Sequence, residues 1–531
     1  MDSPGRLNLT GRVWTGLALG ALTGLALILR AWGLGAPSVT HDEAYGLWVA
    51  TRPLAEVLPA TAHDVHPPLY YLLLHAWLAL GPHSDTWARL PSALMGTALV
   101  PLMYALGRRL WDTGTGLVAA LLATLSPLAV AQAREARMYP PVTLLLALAA
   151  YALLHTVAGR RLRWWAASVF LSLLALYTHY YAVFVLVAFL TYCIFPFHNT
   201  KLVSRFTLYA CLLSIASCLL FYSPWLPMLF DQLSRVRAGF WIPPPSPQEV
   251  GKVAQALAFY AVTPRPPTAT PEDLAVKVVG AGCVVVALLI ALIYDHRPQT
   301  VTGGFVQSDP GADAGEQSVT GGRGCAVWLP TLWLIIPVAL AYVVSLVGPS
   351  VFEPRYFAVC LPAFWLLVAR GTLAWPGRAL KMTLLTGLLV AALASLYTLF
   401  TYPACQPPDT RSAAAWLRER HAPAALVIHT SQFSLRPIVW YNGDDKAGVL
   451  ADDPAIPARL DSLVTASRFR LVVHYDVRRA DGPRQADANA AAWAASHGLW
   501  NLRTVARFWG IHVYEWANGE MGKWADGQMG K

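Results

Sequence analysis

The stretch VWTGLALGALTGLALILRAWGLGAPSVTHDE, residues 13–43, contains the features that decide the fold. Its first part, 13–32, is almost uninterrupted apolar sequence of about the length that a helix needs to cross a bilayer, roughly 20 residues. A short basic N-terminus precedes it, and no convincing small-x-small cleavage site comes before His41. We therefore interpret 13–32 as a retained membrane anchor, and two adjacent carboxylates, Asp42 and Glu43, lie ten residues beyond its end.

The composition excludes an ordinary soluble domain. Of the 531 residues, 56% are hydrophobic and only 13% are charged, and the mean hydropathy is +0.45. The net charge of +10 comes from basic residues in short loops between apolar segments, which is the pattern of cytoplasmic loops and not of nucleic-acid binding. Seven cysteines without CxxC spacing indicate neither a disulfide framework nor a structural zinc site. The chain is predicted to be a polytopic membrane protein.

The apolar segments predict about eleven spans. They are 13–32, 90–107, 114–131, 139–157, 164–178, 180–197, 204–228, 275–295, 327–347, 355–372 and 380–401. One further segment, 67–81, is only about 15 residues long and contains His75, so we expect it to lie along the outer interface. If it does not cross, the basic loops share the side of the basic N-terminus, as the positive-inside rule requires. The N-terminus is therefore predicted inside.

This topology predicts two domains. Residues 1–401 form a mostly α-helical transmembrane catalytic domain, whose first outer loop, 33–89, carries interfacial helices. Residues 402–531 combine helical patterns such as SAAAWLRER with β-rich runs such as FRLVVHY, which predicts a small extracytoplasmic α/β domain. The Gly-rich inner loop 296–326 is typical of a flexible linker, and the last dozen residues are predicted to be disordered.

Charged side chains recur in the loops that this topology puts on the outer face. The acidic ones are Asp42, Glu43, Asp64 and Glu135, and the basic ones are Arg134, Arg137 and Arg355. Polar residues at a membrane boundary cost free energy unless they pair or serve a site, so several on one face indicate a shared site. A guanidinium at a span edge suits the phosphate of a lipid whose tail stays in the bilayer. Taken singly, each is equally well explained as a loop carboxylate or an arginine that reaches the interface.

The order of these motifs resembles the GT-C superfamily of membrane glycosyltransferases. A first span followed by DE, then HPPLYY, ARLPSALMGTALVPLMYALGRRL, AREARMY and later EPRY, is similar to the protein O-mannosyltransferases and to the bacterial transferases that add aminoarabinose to lipid A. The resemblance is good over residues 10–200, thinner to 401 and absent beyond. Each motif is weak alone, and their order is fairly specific. The resemblance implies a GT-C fold and a polyprenyl-phosphate-linked sugar as donor.

The resemblance also implies roles for particular residues. Asp42 would be the general base, and Glu43 would help to position the acceptor. His66 begins the HPP element, but Leu69, Tyr70 and Tyr71 stand where the mannosyltransferases usually have Gly or Ala and a Lys, which argues against protein O-mannosylation itself. The expected substrate-binding residues are Glu43, Asp64, His66, Glu135 and Tyr139. The expected donor phosphate-binding residues are Arg134, Arg137, Arg355 and Tyr356.

These residue types suit a single displacement. A sugar on a lipid phosphate already has a good leaving group, so its departure needs charge stabilisation, which arginines supply. The acceptor alcohol needs a base, and a carboxylate within hydrogen-bond reach can take its proton. The sequence offers one candidate base and no evident second carboxylate that could act as a covalent nucleophile. This favours a single displacement, which inverts the anomeric carbon. His179, in THYY, is interpreted as an interfacial hydrogen-bonding residue in preference to a metal ligand, and lining of the donor cavity stays open as an alternative.

Several alternatives stay open at this point. A divalent ion held by Asp42, Asp64, His66 and Glu135 is one, although no HExxH or DxD spacing is present. The chain could also be a transporter or flippase of lipid-linked sugar, or a scaffold whose C-terminal domain binds a partner. We expect an enzyme of the plasma membrane with its active site on the extracytoplasmic face. Its partners would be the lipid-linked donor, membrane lipids and a glycan, lipid or protein acceptor, with no nucleic acid.

Overall fold

The computed structural model divides the chain into two compact units. Unit 1 comprises residues 1–35 and 49–405, and unit 2 comprises 36–48 and 406–531. The structure describes residues 4–159, 162–194, 205–238, 242–258, 271–294, 326–402, 405–420, 426–443, 449–450, 468–475, 477, 481–497 and 502–517. The predicted linker, 296–326, lies outside the described residues except for its last position, and the predicted disordered tail lies wholly outside them.

The described residues up to 401 are mostly helical, as predicted. Its α-helices are α1 (Pro4–Ala31), α2 (His41–Ala50), α3 (Leu54–Ala62), α4 (Leu69–Leu78), α5 (Asp85–Leu110), α6 (Thr113–Leu125), α7 (Pro127–Ala133), α8 (Tyr139–Gly159), α9 (Leu162–Thr178), α10 (Ala182–Ile194), α11 (Arg205–Tyr222), α12 (Leu226–Ala238), α13 (Pro247–Leu257), α14 (Pro271–Tyr294), α15 (Trp328–Val347), α16 (Leu361–Ala374) and α17 (Arg378–Thr401). Two 3-10 helices, η1 (Ser223–Trp225) and η2 (Pro354–Cys360), precede α12 and α16.

The described helices make the chain a multi-pass membrane protein. Seven are long and apolar enough to cross a bilayer, or eight if the bent pair α6 and α7 forms one span. The other three predicted spans, 164–178, 180–197 and 275–295, contain the apolar helical stretches Leu162–Thr178, Ala182–Ile194 and Val278–Tyr294, each of 10–17 residues. The described parts of all eleven predicted segments are therefore helical, and the two counts differ because these three stretches are shorter than the length counted as a span. Which end of each helix faces the cytoplasm stays a prediction.

The segment 67–81 forms a helix too short to cross. Its regular part is α4, ten residues from Leu69 to Leu78, with Pro68 at the N-cap. At 1.5 Å per residue, ten residues span about 15 Å, which is about half of a hydrocarbon core. The length of α4 supports the expectation of an interfacial helix.

A buried arginine stabilises the break between α6 and α7, which meet at 56°. Pro127 has no N–H to donate to Ala123, four residues earlier, so the helix cannot continue through it. Arg30, on α1 and 1% exposed, donates from Nη2 to the Ala123 carbonyl at 2.8 Å and from Nη1 to the Thr124 carbonyl at 3.3 Å. Arg30, the charged residue of the first apolar segment, therefore donates hydrogen bonds to carbonyl oxygens that lack a helical N–H partner at this break.

Glycines allow the closest helix contacts in unit 1. A Cβ atom at Gly371, on α16, would lie 1.7 Å from the Ala287 carbonyl oxygen on α14. A Cβ atom at Gly107, on α5, would lie 2.7 Å from the Cα of Gly116 on α6. Membrane helices associate largely through van der Waals packing, and small residues let their backbones approach.

Gly371→Ala is expected to destabilise unit 1, because the new methyl group meets backbone that can move only with its whole helix. Overpacking of this kind costs about 1–3 kcal/mol, which should lower the Tm of the detergent-solubilised protein by several degrees. Gly282→Ala on α14 is the matched control, since no atom lies within 4 Å of a Cβ there, and its Tm should not fall. Equal Tm values for the two variants would contradict the tight crossing.

Unit 2 contains the small α/β fold that the C-terminal sequence predicts. Its strands are β1 (Leu426–His429), β2 (Val449–Leu450), β3 (Arg468–His474), β4 (Arg503–Phe508) and β5 (Ile511–Ala517), in the order β2-β1-β3-β5-β4. The first three strands are parallel, and β5 runs antiparallel to β3 and β4. The helices are α18 (Thr410–Glu419), α19 (Gln432–Asn442) and α20 (Gly482–Ser496). Apolar side chains of β1, β3 and β5 form two buried clusters with these helices.

Candidate active site

Five aromatic rings from four separate segments of unit 1 pack together. We call His66, Tyr139, His179, Tyr181 and Tyr356 the ring cluster. His179 lies at its centre, with its ring centroid 5.2 Å from His66, 5.6 Å from Tyr139, 5.7 Å from Tyr181 and 5.4 Å from Tyr356. All five residues are buried, none more than 7% exposed. The cluster joins the HPP element, the start of α8, the α9–α10 turn and η2, which are distant in sequence.

Two guanidinium groups flank the ring cluster. The Cζ of Arg137 lies 5.7 Å from the ring centroid of Tyr139, and the Cζ of Arg355 lies 5.8 Å from that of Tyr356. One carboxylate offsets part of this charge, since the Nε of Arg355 lies 3.7 Å from an Oε1 oxygen of Glu353. The positive charges of Arg137 and Arg355 both act on His179 at the centre of the cluster, and guanidinium groups suit an anionic group.

Hydrogen bonds to main-chain oxygens hold both arginines in place. The Ser92 hydroxyl on α5 donates to the Arg137 carbonyl at 3.1 Å, and the Gln132 amide on α7 donates to the Arg355 carbonyl at 2.8 Å. Both supporting side chains are buried. A buried hydrogen bond of this kind positions the backbone, so the main-chain atoms that carry each guanidinium group are held in place.

A second set of hydrogen bonds holds the HPP element. The Gln232 amide nitrogen on α12 donates to the Thr61 carbonyl at 3.1 Å and to the His66 carbonyl at 3.4 Å. Its amide oxygen accepts from the Tyr180 hydroxyl, which in turn accepts from Trp225 Nε1 at 2.9 Å. Gln232 is 2% exposed. It therefore connects the loop before α4 to the turn that carries His179.

The hydrogen bonds of His179 define its tautomer. The backbone N–H of Tyr181 donates to its Nδ1 at 3.1 Å, so Nδ1 carries no proton. Burial, together with the positive charges of Arg137 and Arg355, lowers the pKa of His179 to about 3. The imidazole is therefore neutral at physiological pH, and its single proton lies on Nε2.

Two buried polar atoms in the ring cluster lack a hydrogen-bond partner. Within the described part of the chain, neither the hydroxyl of Tyr139 nor Nε2 of His179 has one. Tyr139 is 1% exposed and His179 is 2% exposed. Buried polar groups without partners are uncommon in native proteins, because each costs about 1–3 kcal/mol. Their coincidence in one cluster therefore points to a ligand.

Of the predicted substrate-binding carboxylates, neither Asp64 nor Glu135 belongs to the ring cluster. Asp64 accepts a hydrogen bond from the Tyr71 hydroxyl on α4. The backbone of Glu135 forms the turn between α7 and α8, where its carbonyl accepts from the Arg137 N–H at 2.9 Å. Both carboxylates stay predictions as substrate-binding residues.

Arg134 differs from the other two arginines. Its Nη1 donates to the Trp32 carbonyl at 2.6 Å, and its Nη2 donates to the Gly33 carbonyl at 3.3 Å. These oxygens lie in the turn just after α1, where carbonyl groups lack helical partners and a cation is favoured. Burial lowers the pKa of Arg134, and the charge of Arg89 lowers it further. The structure therefore gives Arg134 a role as the C-terminal cap of α1, and its phosphate-binding role stays a prediction.

The two carboxylates that open α2 belong to unit 2. The Thr40 hydroxyl accepts from the Glu43 N–H at 3.2 Å, and Glu43 Oε2 accepts from the Thr40 N–H at 2.9 Å. This reciprocal pair is a capping box, which the spacing Thr40-x-x-Glu43 could have predicted. Glu43 is fully buried, whereas Asp42 is half-buried at the second position of the helix. Glu43 thus stabilises the start of α2, and a role in acceptor binding stays a prediction.

The arrangement within the described residues brings no three His, Cys, Asp or Glu side chains close enough to hold a metal ion. Five residues that the sequence predicts for the site lie near one another in unit 1, namely His66, Arg137, Tyr139, Arg355 and Tyr356, and their functional roles stay predictions. The sequence prediction does not include Tyr181 and Gln232. Tyr181 follows His179 in THYY and could have been included, but nothing local marks Gln232 among the polar residues of α12.

Comparisons with known proteins agree with the resemblance in the motifs. Residues 65–227 match the family model described as dolichyl-phosphate-mannose-protein mannosyltransferase. No curated protein matches the chain significantly. The fold is similar to the crystal structure of ArnT from Cupriavidus metallidurans in the apo state, with 13% identity, a TM-score of 0.47 and coverage of 95% of this chain and 98% of that one.

Two further solved structures are similar at the same level. ArnT from Cupriavidus metallidurans bound to undecaprenyl phosphate matches with 14% identity, a TM-score of 0.45 and coverage of 93% and 97% of the two chains. The oligosaccharyltransferase of Archaeoglobus fulgidus in complex with Zn and sulfate matches with 11% identity, a TM-score of 0.46 and coverage of 92% and 72%. The segment 65–227, which contains His66, Arg137, Tyr139 and His179, thus matches a glycosyltransferase family model.

Proposed function

We propose that this protein transfers a sugar from a polyprenyl-phosphate-linked donor to the hydroxyl of an acceptor. The observation that carries the proposal is the ring cluster of unit 1, where Arg137 and Arg355 flank two buried polar groups without partners among the described residues. A lipid phosphate has the charge and the acceptor oxygens that this chemistry requires. The match of residues 65–227 to a lipid-phosphate-sugar transferase family supports the same substrate class.

The reaction needs one bond to form and one to break at the anomeric carbon. As the acceptor oxygen attacks, the bond from that carbon to the phosphate oxygen breaks, and its electron pair stays on the lipid phosphate. Arg137 and Arg355 stabilise the negative charge that develops there. The acceptor proton passes to Asp42, our candidate base, which is suggested by its position in the Asp-Glu pair of the first loop after the first apolar helix. A single displacement inverts the anomeric configuration.

The acceptor and the side of the membrane are also part of the proposal. The basic loops favour an N-terminus in the cytoplasm, which would put the ring cluster near the extracytoplasmic face of the plasma membrane. A glycan, lipid or protein hydroxyl is the acceptor class. Leu69, Tyr70 and Tyr71 after the HPP element argue against protein O-mannosylation as the specific reaction.

The experiment is a transfer assay with the purified full-length chain in lipid nanodiscs. Polyprenyl-phosphate donors carrying different radiolabelled sugars are mixed with lipid, glycan and peptide acceptors, and the label is followed into product. We expect consumption of at least one donor with release of polyprenyl phosphate. A flippase in proteoliposomes would move the labelled lipid between leaflets without consuming it, and that outcome would replace the proposal.

A further inference from the structure

We infer that the Nε2–H of His179 and the hydroxyl of Tyr139 both donate hydrogen bonds to oxygens of the lipid phosphate, including the oxygen that leaves the sugar. The inference rests on the proposed function and assigns two binding residues and their protonation states within it. His179 is thereby a neutral donor and not an acid. Tyr139, named from the sequence only as a substrate-binding residue, receives a specific partner.

The tautomer of His179 determines what kind of group it can bind. Since Nδ1 accepts from the Tyr181 N–H, the exchangeable ring proton is fixed on Nε2. Nε2 can therefore donate and cannot accept, so its partner must carry a lone pair. Within the residues that the structure describes, no protein atom supplies that lone pair. The partner is then an acceptor from outside the described residues, and a ligand oxygen is such an acceptor.

The neighbouring charges select an anionic acceptor. Arg137 and Arg355 both lie close enough to His179 for their positive charges to lower its pKa, together with burial. A neutral water would gain little from this potential, whereas a phosphate oxygen gains from both guanidinium groups. Tyr139 lies beside Arg137, with its ring centroid 5.7 Å from the Cζ atom, so its hydroxyl shares the same field.

Neutral donors have a specific advantage at a leaving oxygen. In the donor the phosphate is a diester with one negative charge, and after transfer it is a monoester that carries more. A hydrogen bond to that oxygen therefore strengthens as the bond to the sugar breaks, which lowers the barrier without moving a proton. His179 could not act as a general acid here, because a pKa of about 3 leaves it uncharged throughout the physiological range.

The test measures binding of a polyprenyl phosphate and of the matching polyprenol to the full-length protein in nanodiscs. Tyr139→Phe removes only the hydroxyl, and His179→Phe removes the donor. Each should raise the Kd for the polyprenyl phosphate about tenfold or more and leave that for the polyprenol unchanged. His179→Gln keeps an amide donor near the position of Nε2, so its Kd should stay within about threefold of wild type.

Matched controls separate these effects from a general loss of structure. Tyr177→Phe removes a hydroxyl that donates to the Phe221 carbonyl outside the ring cluster, and His497→Gln changes a histidine of unit 2. Both should bind polyprenyl phosphate as wild type does. The ratio of the Kd of His179→Gln to that of wild type should not change between pH 5 and 8, because His179 does not titrate there. A ratio that follows a single titration in this range would contradict the neutral donor.

The outcomes also separate this inference from the proposed function. If wild type binds polyprenyl phosphate and Tyr139→Phe and His179→Phe bind it equally well, the inference is wrong and the proposed function stands. If wild type does not bind it, both are wrong. If the two variants bind it weakly but wild type consumes no sugar donor, the phosphate site stands and the transferase activity is wrong.

Discussion

Asp42→Asn is expected to lower the turnover number about 10²–10⁴-fold, the range typical for the loss of a general base. Asparagine keeps the size and the hydrogen-bonding shape of the side chain but cannot take the acceptor proton. Donor binding should change little, because the base acts on the acceptor. The measurement is kcat with saturating donor and acceptor, alongside the Kd for polyprenyl phosphate.

Asp409→Asn is the matched control for Asp42. Asp409 caps α18, where its carboxylate accepts from the Ser412 N–H at 3.1 Å. Asparagine caps a helix about as well as aspartate, so this variant should retain both stability and turnover. If Asp42→Asn retained near wild-type kcat in the same preparation, another group would have to be the base.

Arg137→Gln is expected to reduce kcat/KM for the lipid-linked donor about 30-fold to several thousand-fold. Loss of one partner from a buried, charged contact typically costs about 2–5 kcal/mol, and each 1.4 kcal/mol is tenfold. Arg137 is 5% exposed, so water cannot readily replace its guanidinium group. Arg137→Lys keeps the charge but not the two-pronged geometry, and should fall between wild type and Arg137→Gln. Steady-state kinetics with varied donor measure the effect.

Arg134→Gln distinguishes a phosphate ligand from a helix cap. Because Arg134 donates to the carbonyls of Trp32 and Gly33, its loss should lower the Tm. The Kd for the donor should change little. Arg52→Gln, which removes an exposed pair with Glu56, should change neither. A loss of donor affinity for Arg134→Gln equal to that for Arg137→Gln would restore Arg134 to the phosphate-binding set.

Sequence reasoning succeeded where the signal was local. Apolar length predicted eleven segments whose described parts are all helical, and the short apolar run at 67–81 predicted a helix too short to cross. Alternating β-rich runs predicted the sheet of unit 2. Polar residues were harder to assign, because the spacing Thr40-x-x-Glu43 also indicates a helix cap, and the role of Glu43 in acceptor binding stays a prediction.

The sequence by itself determined that this is a multi-pass helical membrane protein, and it identified His66, Arg137, Tyr139, Arg355 and Tyr356 as members of one candidate site. Hydrophobicity, segment length and motif order depend only on the order of residues along the chain, so they can be recognised before the tertiary structure is known. Only the tertiary structure decided which polar groups already have partners within the described residues. Arg134 caps α1 through residues 101 and 102 positions away, while the N–H of Tyr181 fixes the proton of His179 on Nε2. Burial and hydrogen-bond pairing arise from segments brought together by packing, and no local pattern contains them.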